Sequence, residues 1–157
     1  MARPEFIVSQ ADNEVIQRLL LDAPRERVWE LMTDPELIPQ WWGPAALTTT
    51  VEQMDVTEGG KWRYVQRDAE GNEHVFSGVY REVVPPERTA GTFEYENEPG
   101  DVMFEVATLE ELPDGNTLLT IRSRFESSEA LNAAVESGME AGATESLERF
   151  EELVARS

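Results

Sequence analysis

The stretch 22-DAPRERVWELMTDPELIPQWWGP-44 decides how this chain is read. Pro24 and Pro35 each stand where a helix begins, because a proline at the first helical position gives up no intrahelical hydrogen bond and brings its φ already set. Asp34, just before Pro35, supplies a side-chain cap. Val28, Leu31 and Met32 recur at helical spacing, so the first element is a short amphipathic helix of about two turns. Pro39 falls where an interior amide is needed, and the helix opened by Pro35 ends or kinks within about one turn. Trp41 and Trp42 follow. They lie about 100° apart on a helix and cannot both face the core. One of them, with Trp41 the candidate, is expected at a cavity entrance or a subunit contact.

Working outward, 14-EVIQRLLL-21 reads as a half-buried strand running directly into the helix pair. After Pro44 the chain turns β-rich. Leu47 to Val56 is loaded with threonine and valine, Gly59-Gly60 makes a turn, and Lys61 to Arg67 alternates Trp62 and Tyr64 with Lys61 and Arg63. The loop 68-DAEGNE-73 leads into a returning strand from His74 to Val84, which Pro85-Pro86 ends. Thr89 to Tyr95 places Phe93 and Tyr95 on one face. After the turn 97-NEPGD-101, Val102, Phe104 and Val106 alternate with Met103, Glu105 and Ala107 as far as Leu112. Pro113-Asp114-Gly115-Asn116 turns the chain into Thr117 to Phe125, with Leu119, Ile121 and Phe125 on one side and Arg122 and Arg124 on the outer face. Seven strands are expected in all.

Over the last thirty or so residues the period lengthens from two to nearly four. Ser127 or Ser128 caps a long helix whose apolar stripe runs through Leu131, Val135, Met139, Ala143, Leu147, Phe150 and Val154. Gly138 and Gly142 lie inside it, where each costs about 1 kcal/mol relative to alanine. They are expected to serve bending, close packing or space for something else.

Composition bounds the function. The formal charge of −19 repels phosphate backbones and anionic lipid, which excludes nucleic acid as a partner. The absence of cysteine excludes disulfides, thiolate metal sites and cysteine nucleophiles. No stretch approaches the roughly 20 apolar residues of a membrane span and no signal-peptide core opens the chain, so membrane insertion is not expected and a cytoplasmic protein is. No linker or repeat divides the 157 residues. One domain is read over 14–157, preceded by an N-terminal extension at 1–13.

Strand, two short helices, six further strands and a long terminal helix make an α+β pattern. A strongly twisted antiparallel sheet has to curl around its one long helix, and the space between them tends to remain a cavity, the default ligand site. The opening stretch, 59-GGKWRY-64, 76-FSGVYREVVPPERT-89 and 142-GATESLERF-150 resemble the START-like (SRPBCC, Bet v 1-like, helix-grip) superfamily. Within it they resemble the small proteins named as homologues of the activator of the heat-shock protein 90 ATPase. The likeness runs from about Glu14 to Val154. It implies a curved sheet of about seven strands wrapped around the C-terminal helix. For activity it implies a range, from lipid and hormone binding through polyketide cyclisation to chaperone regulation. The activators of that ATPase carry an additional N-terminal domain that grips the chaperone, and the thirteen residues before Glu14 do not supply it. Relatives often carry a tryptophan where this chain has Ala143, which implies a larger pocket here.

No G-x-S-x-G, Walker, H-E-x-x-H or dinucleotide fingerprint is present, so neither a catalytic residue, a metal nor a cofactor is expected. His74, the single histidine, reads as an exposed strand residue beside the 68–73 loop. The expected ligand-binding residues are Trp41, Trp62, Tyr64, Phe76, Tyr80, Phe93, Tyr95, Phe104, Met139 and Ala143, the tyrosines orienting the ligand through their hydroxyls. The leading expectation is a binding module for a small, largely apolar ligand, with a possible homodimer through a sheet edge or the Trp41-Trp42 region. Two alternatives stand beside it. One is a cyclase or dehydratase that moves protons with an inward acid such as Glu94 or Glu105. The other is a protein-interaction role, such as chaperone-ATPase regulation, through the acidic surface.

Overall fold

Alternation of apolar and polar residues makes strands of β1 (Glu5–Ser9), β2 (Glu14–Leu21), β3 (Thr48–Met54), β4 (Lys61–Arg67), β5 (Glu73–Val84), β6 (Arg88–Tyr95), β7 (Val102–Glu111) and β8 (Thr117–Arg124). The computed structural model describes residues 4–156. All eight strands join one antiparallel sheet in the order β1-β2-β8-β7-β6-β5-β4-β3. The helices are α1 (Arg25–Thr33), α2 (Ser128–Glu136) and α3 (Met139–Ala155), with a single 3-10 turn at Ile38–Gln40.

The expected seven strands are all present, and β1 is an eighth. It comes from the residues read as an extension and pairs with β2, Val8 opposite Val15. Asn13 closes the intervening turn at φ 52, a conformation asparagine tolerates better than most residues. Five residues carry too few alternations to stand out in the sequence. The terminal helix differs as well. Ser127 caps α2 as expected, its Oγ accepting from Ala130 N at 3.1 Å. Gly138, however, adopts φ 93, a left-handed conformation that ends α2, and the apolar stripe is carried by two helices. Around Gly142 an added Cβ would meet nothing within 4 Å, so close packing does not explain that glycine.

Pro24 stands one residue before α1, at its N-cap. Asp34 ends α1 and its Oδ1 accepts the Glu36 amide at 2.9 Å. α1 and the C-terminal half of α3 seal one end of the sheet. Leu19 and Leu21 of β2, Leu109 of β7 and Leu119 of β8 pack there against Val28, Leu31, Leu147 and Phe150. A second cluster gathers around Ile38, Trp62 and Tyr64, over strands β3 to β6.

Candidate functional site

The inner face of the sheet is read from its register. One lateral row passes from Val15 through Ser123, Glu105 and Gly91 to Tyr80, across strands β2, β8, β7, β6 and β5. A neighbouring row places Met103 opposite Phe93, and Trp62 opposite Gly78. The indole of Trp62 lies over Gly78, where an added Cβ would approach its Nε1 to 2.5 Å. Glycine there is what lets the ring lie flat on the sheet.

Around Trp62 the side chains form an aromatic wall. Its ring centroid is 4.7 Å from that of Tyr64 and 5.4 Å from that of Phe93. Trp42 closes the wall from the loop after the 3-10 turn, meeting Tyr64 edge-on at 5.0 Å and Phe76 at 5.1 Å. Phe76 in turn stacks on Tyr95 at 5.1 Å. Each such pair contributes about 0.5–1.5 kcal/mol beyond area burial. Yet Trp42, Phe76, Tyr80, Phe93 and Tyr95 stay half-buried, as do Met139 and Ala143 at the start of α3. Here the helices leave the inner face partly uncovered.

Polar groups converge on this open half. Ser123, fully buried, donates its hydroxyl to Glu105 Oε2 at 3.1 Å. Burial raises the Glu105 pKa, and the bond from Ser123 opposes that rise only in part. Glu105 is desolvated and retains some accessible surface. Burial also raises Tyr64, and the charge of Glu105 adds to that. Tyr80 is pushed up to about 12, chiefly by burial, with smaller contributions from Asp55 and Glu105 and an opposing hydrogen bond from Tyr64. Two neutral tyrosine hydroxyls and one desolvated carboxyl therefore share the region.

At the rim, His74 is half-buried, in contrast with the exposed strand residue expected. Its Nδ1 lies 2.7 Å from Tyr95 Oη, and its Nε2 faces Asp68 at 3.7 Å. Two grooves lie on the convex face. One, about 530 Å³, is bordered by Arg18, Leu20, Glu110 and Arg122, and the other, about 430 Å³, by Arg63, Ser77, Glu94 and Glu96. Their walls carry charges of both signs. Arg63 holds Glu96 through two hydrogen bonds of 3.0 and 3.1 Å and also pairs with Glu52, which fixes that surface as an ion-pair network. Among the described residues, no group of three metal-ligating side chains gathers.

Of the residues singled out in the sequence, Trp62, Tyr64, Phe76, Tyr80 and Phe93 come together in one cluster, and Tyr95 joins them through Phe76. Trp41 packs against that cluster too and bridges it to the sealed core: it meets Phe150 edge-on at 4.6 Å and donates Nε1–H to the Leu31 carbonyl at 3.0 Å. Trp42 forms the wall beside it. Phe104 faces outward, paired with the exposed Arg124 and itself 41% exposed. The alternation in β7 runs in the opposite sense from the apolar expectation: Met103, Glu105 and Ala107 face inward. Glu94 lies on the convex face, so of the two acids weighed only Glu105 points in. Ser123 was missed, although its parity with Leu119 and Ile121 marks it as inward.

A curled antiparallel sheet gripping a C-terminal helix is the helix-grip architecture, and solved structures agree. A protein from Rhodobacter sphaeroides superposes with a TM-score of 0.90 at 22% identity, covering 99% of both chains. One from Arthrobacter aurescens gives 0.89 at 24% identity over 98% of this chain and 92% of that one. A third, from Chromobacterium violaceum, gives 0.80 at 28% identity over 90% of this chain and 96% of its own. No curated protein matches the chain. The family model described as activator of Hsp90 ATPase homolog 1-like protein matches residues 22–155. The chain belongs to that family. No helix among the described residues is long and apolar enough to cross a membrane.

Proposed function

We propose that this protein binds a small, largely apolar molecule between the aromatic half of its sheet and the start of α3. The observation that carries the reading is the half-buried state of Trp42, Phe76, Tyr80 and Phe93, which sit on the inner face beside a desolvated Glu105. Aromatic surface left partly uncovered around a few convergent polar groups is the usual character of a ligand site. Native mass spectrometry of freshly purified protein, followed by identification of whatever denaturation releases, tests this. A stoichiometric apolar adduct supports it. A protein that is empty as purified, and that also takes up no member of an apolar ligand panel, contradicts it.

A second reading is favoured by the inward position of Glu105: a cyclase- or dehydratase-type enzyme in which this carboxyl moves a proton. Under that reading a polyketide-like substrate turns over, and Glu105→Gln abolishes turnover while leaving binding within about threefold, since glutamine keeps the shape and loses only the proton. Turnover that survives the substitution removes this reading and leaves the first.

A further inference from the structure

The row of inner-face residues on β5 to β8 says more about the ligand than its polarity. Tyr80, Gly91, Glu105 and Ser123 are successive register partners, so their positions form a straight line across four strands. Adjacent strands are separated by about 4.8 Å, which sets the Tyr80 and Glu105 backbones about 10 Å apart. Gly91 stands between them without a side chain, and it is held to glycine because an added Cβ would lie 2.4 Å from the Val79 carbonyl. No side chain of β6 therefore separates the phenol from the carboxyl. Ser123 occupies one carboxylate oxygen, Oε2, from behind. Among the described residues the other, Oε1, has no hydrogen-bond partner. On the far side of the row stands the aromatic wall of Trp42, Trp62 and Phe93.

We infer that this row anchors an uncharged, planar aromatic ligand by a hydroxyl group, which donates to Glu105 Oε1 and accepts from Tyr80 Oη while its rings lie against Trp42, Trp62 and Phe93. The inference rests on the binding reading proposed above and narrows it. A hydroxyl offers a donor to the carboxyl and an acceptor to the phenol at once. A carboxylate ligand is disfavoured twice, by the neighbouring Glu105 and by the overall charge of −19. A hydrocarbon of the same shape leaves the desolvated carboxyl unpaired, and sites built around a substrate hydroxyl discriminate strongly against analogues that lack it.

Three probes of one shape test this: naphthalene, 2-naphthol and 2-naphthoate, their dissociation constants measured on the whole protein by solution NMR titration. The expected order is 2-naphthol tightest, by about tenfold or more over naphthalene, with 2-naphthoate weakest. In Glu105→Leu the advantage of 2-naphthol over naphthalene falls to within about threefold, and naphthalene itself is held as before or better. Tyr80→Phe, which keeps the ring and removes only the hydroxyl, should reduce the same advantage and serves as the second variant should Glu105→Leu fail to fold. If naphthalene binds the wild type and 2-naphthol binds no better, the hydroxyl anchor is overturned while the binding reading stands. If 2-naphthoate binds best, the anchor is overturned in favour of an anion site. If none of the three binds, the binding reading falls and takes this inference with it.

Discussion

The two halves of the inner face are built from the same strands and packed to different degrees. At one end Phe150 and Leu31 are fully buried among Leu19, Leu21, Leu109 and Leu119, with α1 and α3 pressed onto the sheet. At the other, larger aromatic side chains remain half-buried, and an added Cβ at Gly142 of α3 would meet open space. Close packing at the first end leaves no room for a guest, because interiors of that kind hold few voids as large as a water molecule. Stability is concentrated where the helices seal the sheet, and under the proposed binding reading the guest lies where they do not.

Substitutions that should affect one half and spare the other probe this contrast. The largest effect is expected for Phe150→Ala, which empties the centre of the sealed half and should lower unfolding free energy by about 3–5 kcal/mol in denaturant titration. A loss under about 1 kcal/mol would mean that the sealed end is not the stabilising end. Gly78→Ala comes next. Its Cβ would sit 2.0 Å from the Thr92 carbonyl and against the Trp62 indole, so the strand pair must shift, at a cost of about 1–3 kcal/mol. Trp42→Ala removes ring contacts in the open half. We expect it to cost less stability than Phe150→Ala while weakening naphthalene binding about tenfold, the equivalent of 1.4 kcal/mol.

The pH dependence has a defined sign. In the window above its ordinary value of 4.5, the buried Glu105 holds a proton that the unfolded chain has already released. Its contribution therefore favours the folded state below that value and is lost as pH rises through its raised folded pKa. Asp68, held down by the Asn72 amide, and Glu96, held down by Arg63, act oppositely: their stabilisation is present above ordinary carboxylate values and is lost as pH falls. Glu105→Gln should therefore raise the melting temperature more at pH 8 than at pH 4. An equal rise at both would show that this carboxyl is not desolvated. The smallest effect is expected for Phe104→Ser, within about 0.5 kcal/mol and without change in probe affinity, because that ring lies on the convex face.

Much of the fold was legible because the local signals agree with the tertiary arrangement. The period-2 strands from Glu14 to Phe125 and the proline-opened α1 needed no long-range information. What escaped the sequence depended on the other side of a contact. β7 alternates apolar residues on both faces, and Phe104 looked the better core residue. Only its register with β8, setting Glu105 beside Ser123, decides which face is inward. Trp41 and Trp42 were separable by angle but not by direction, which is fixed by Phe150 more than a hundred residues away. Gly138 carried the break between α2 and α3 in plain view. A helix interior tolerates a glycine at modest cost, however, and it is the positive φ that ends the helix.

The most direct test of an open half beside a sealed one uses four methionines as reporters. Met54 packs in the aromatic cluster, Met103 shares its inner face on β7 and Met139 opens α3, whereas Met32 packs against the sealed core. With methionine methyl groups carbon-13 labelled, saturating 2-naphthol should shift the Met54, Met103 and Met139 signals and leave Met32 in place. A spectrum in which Met32 moves and those three do not would contradict the account.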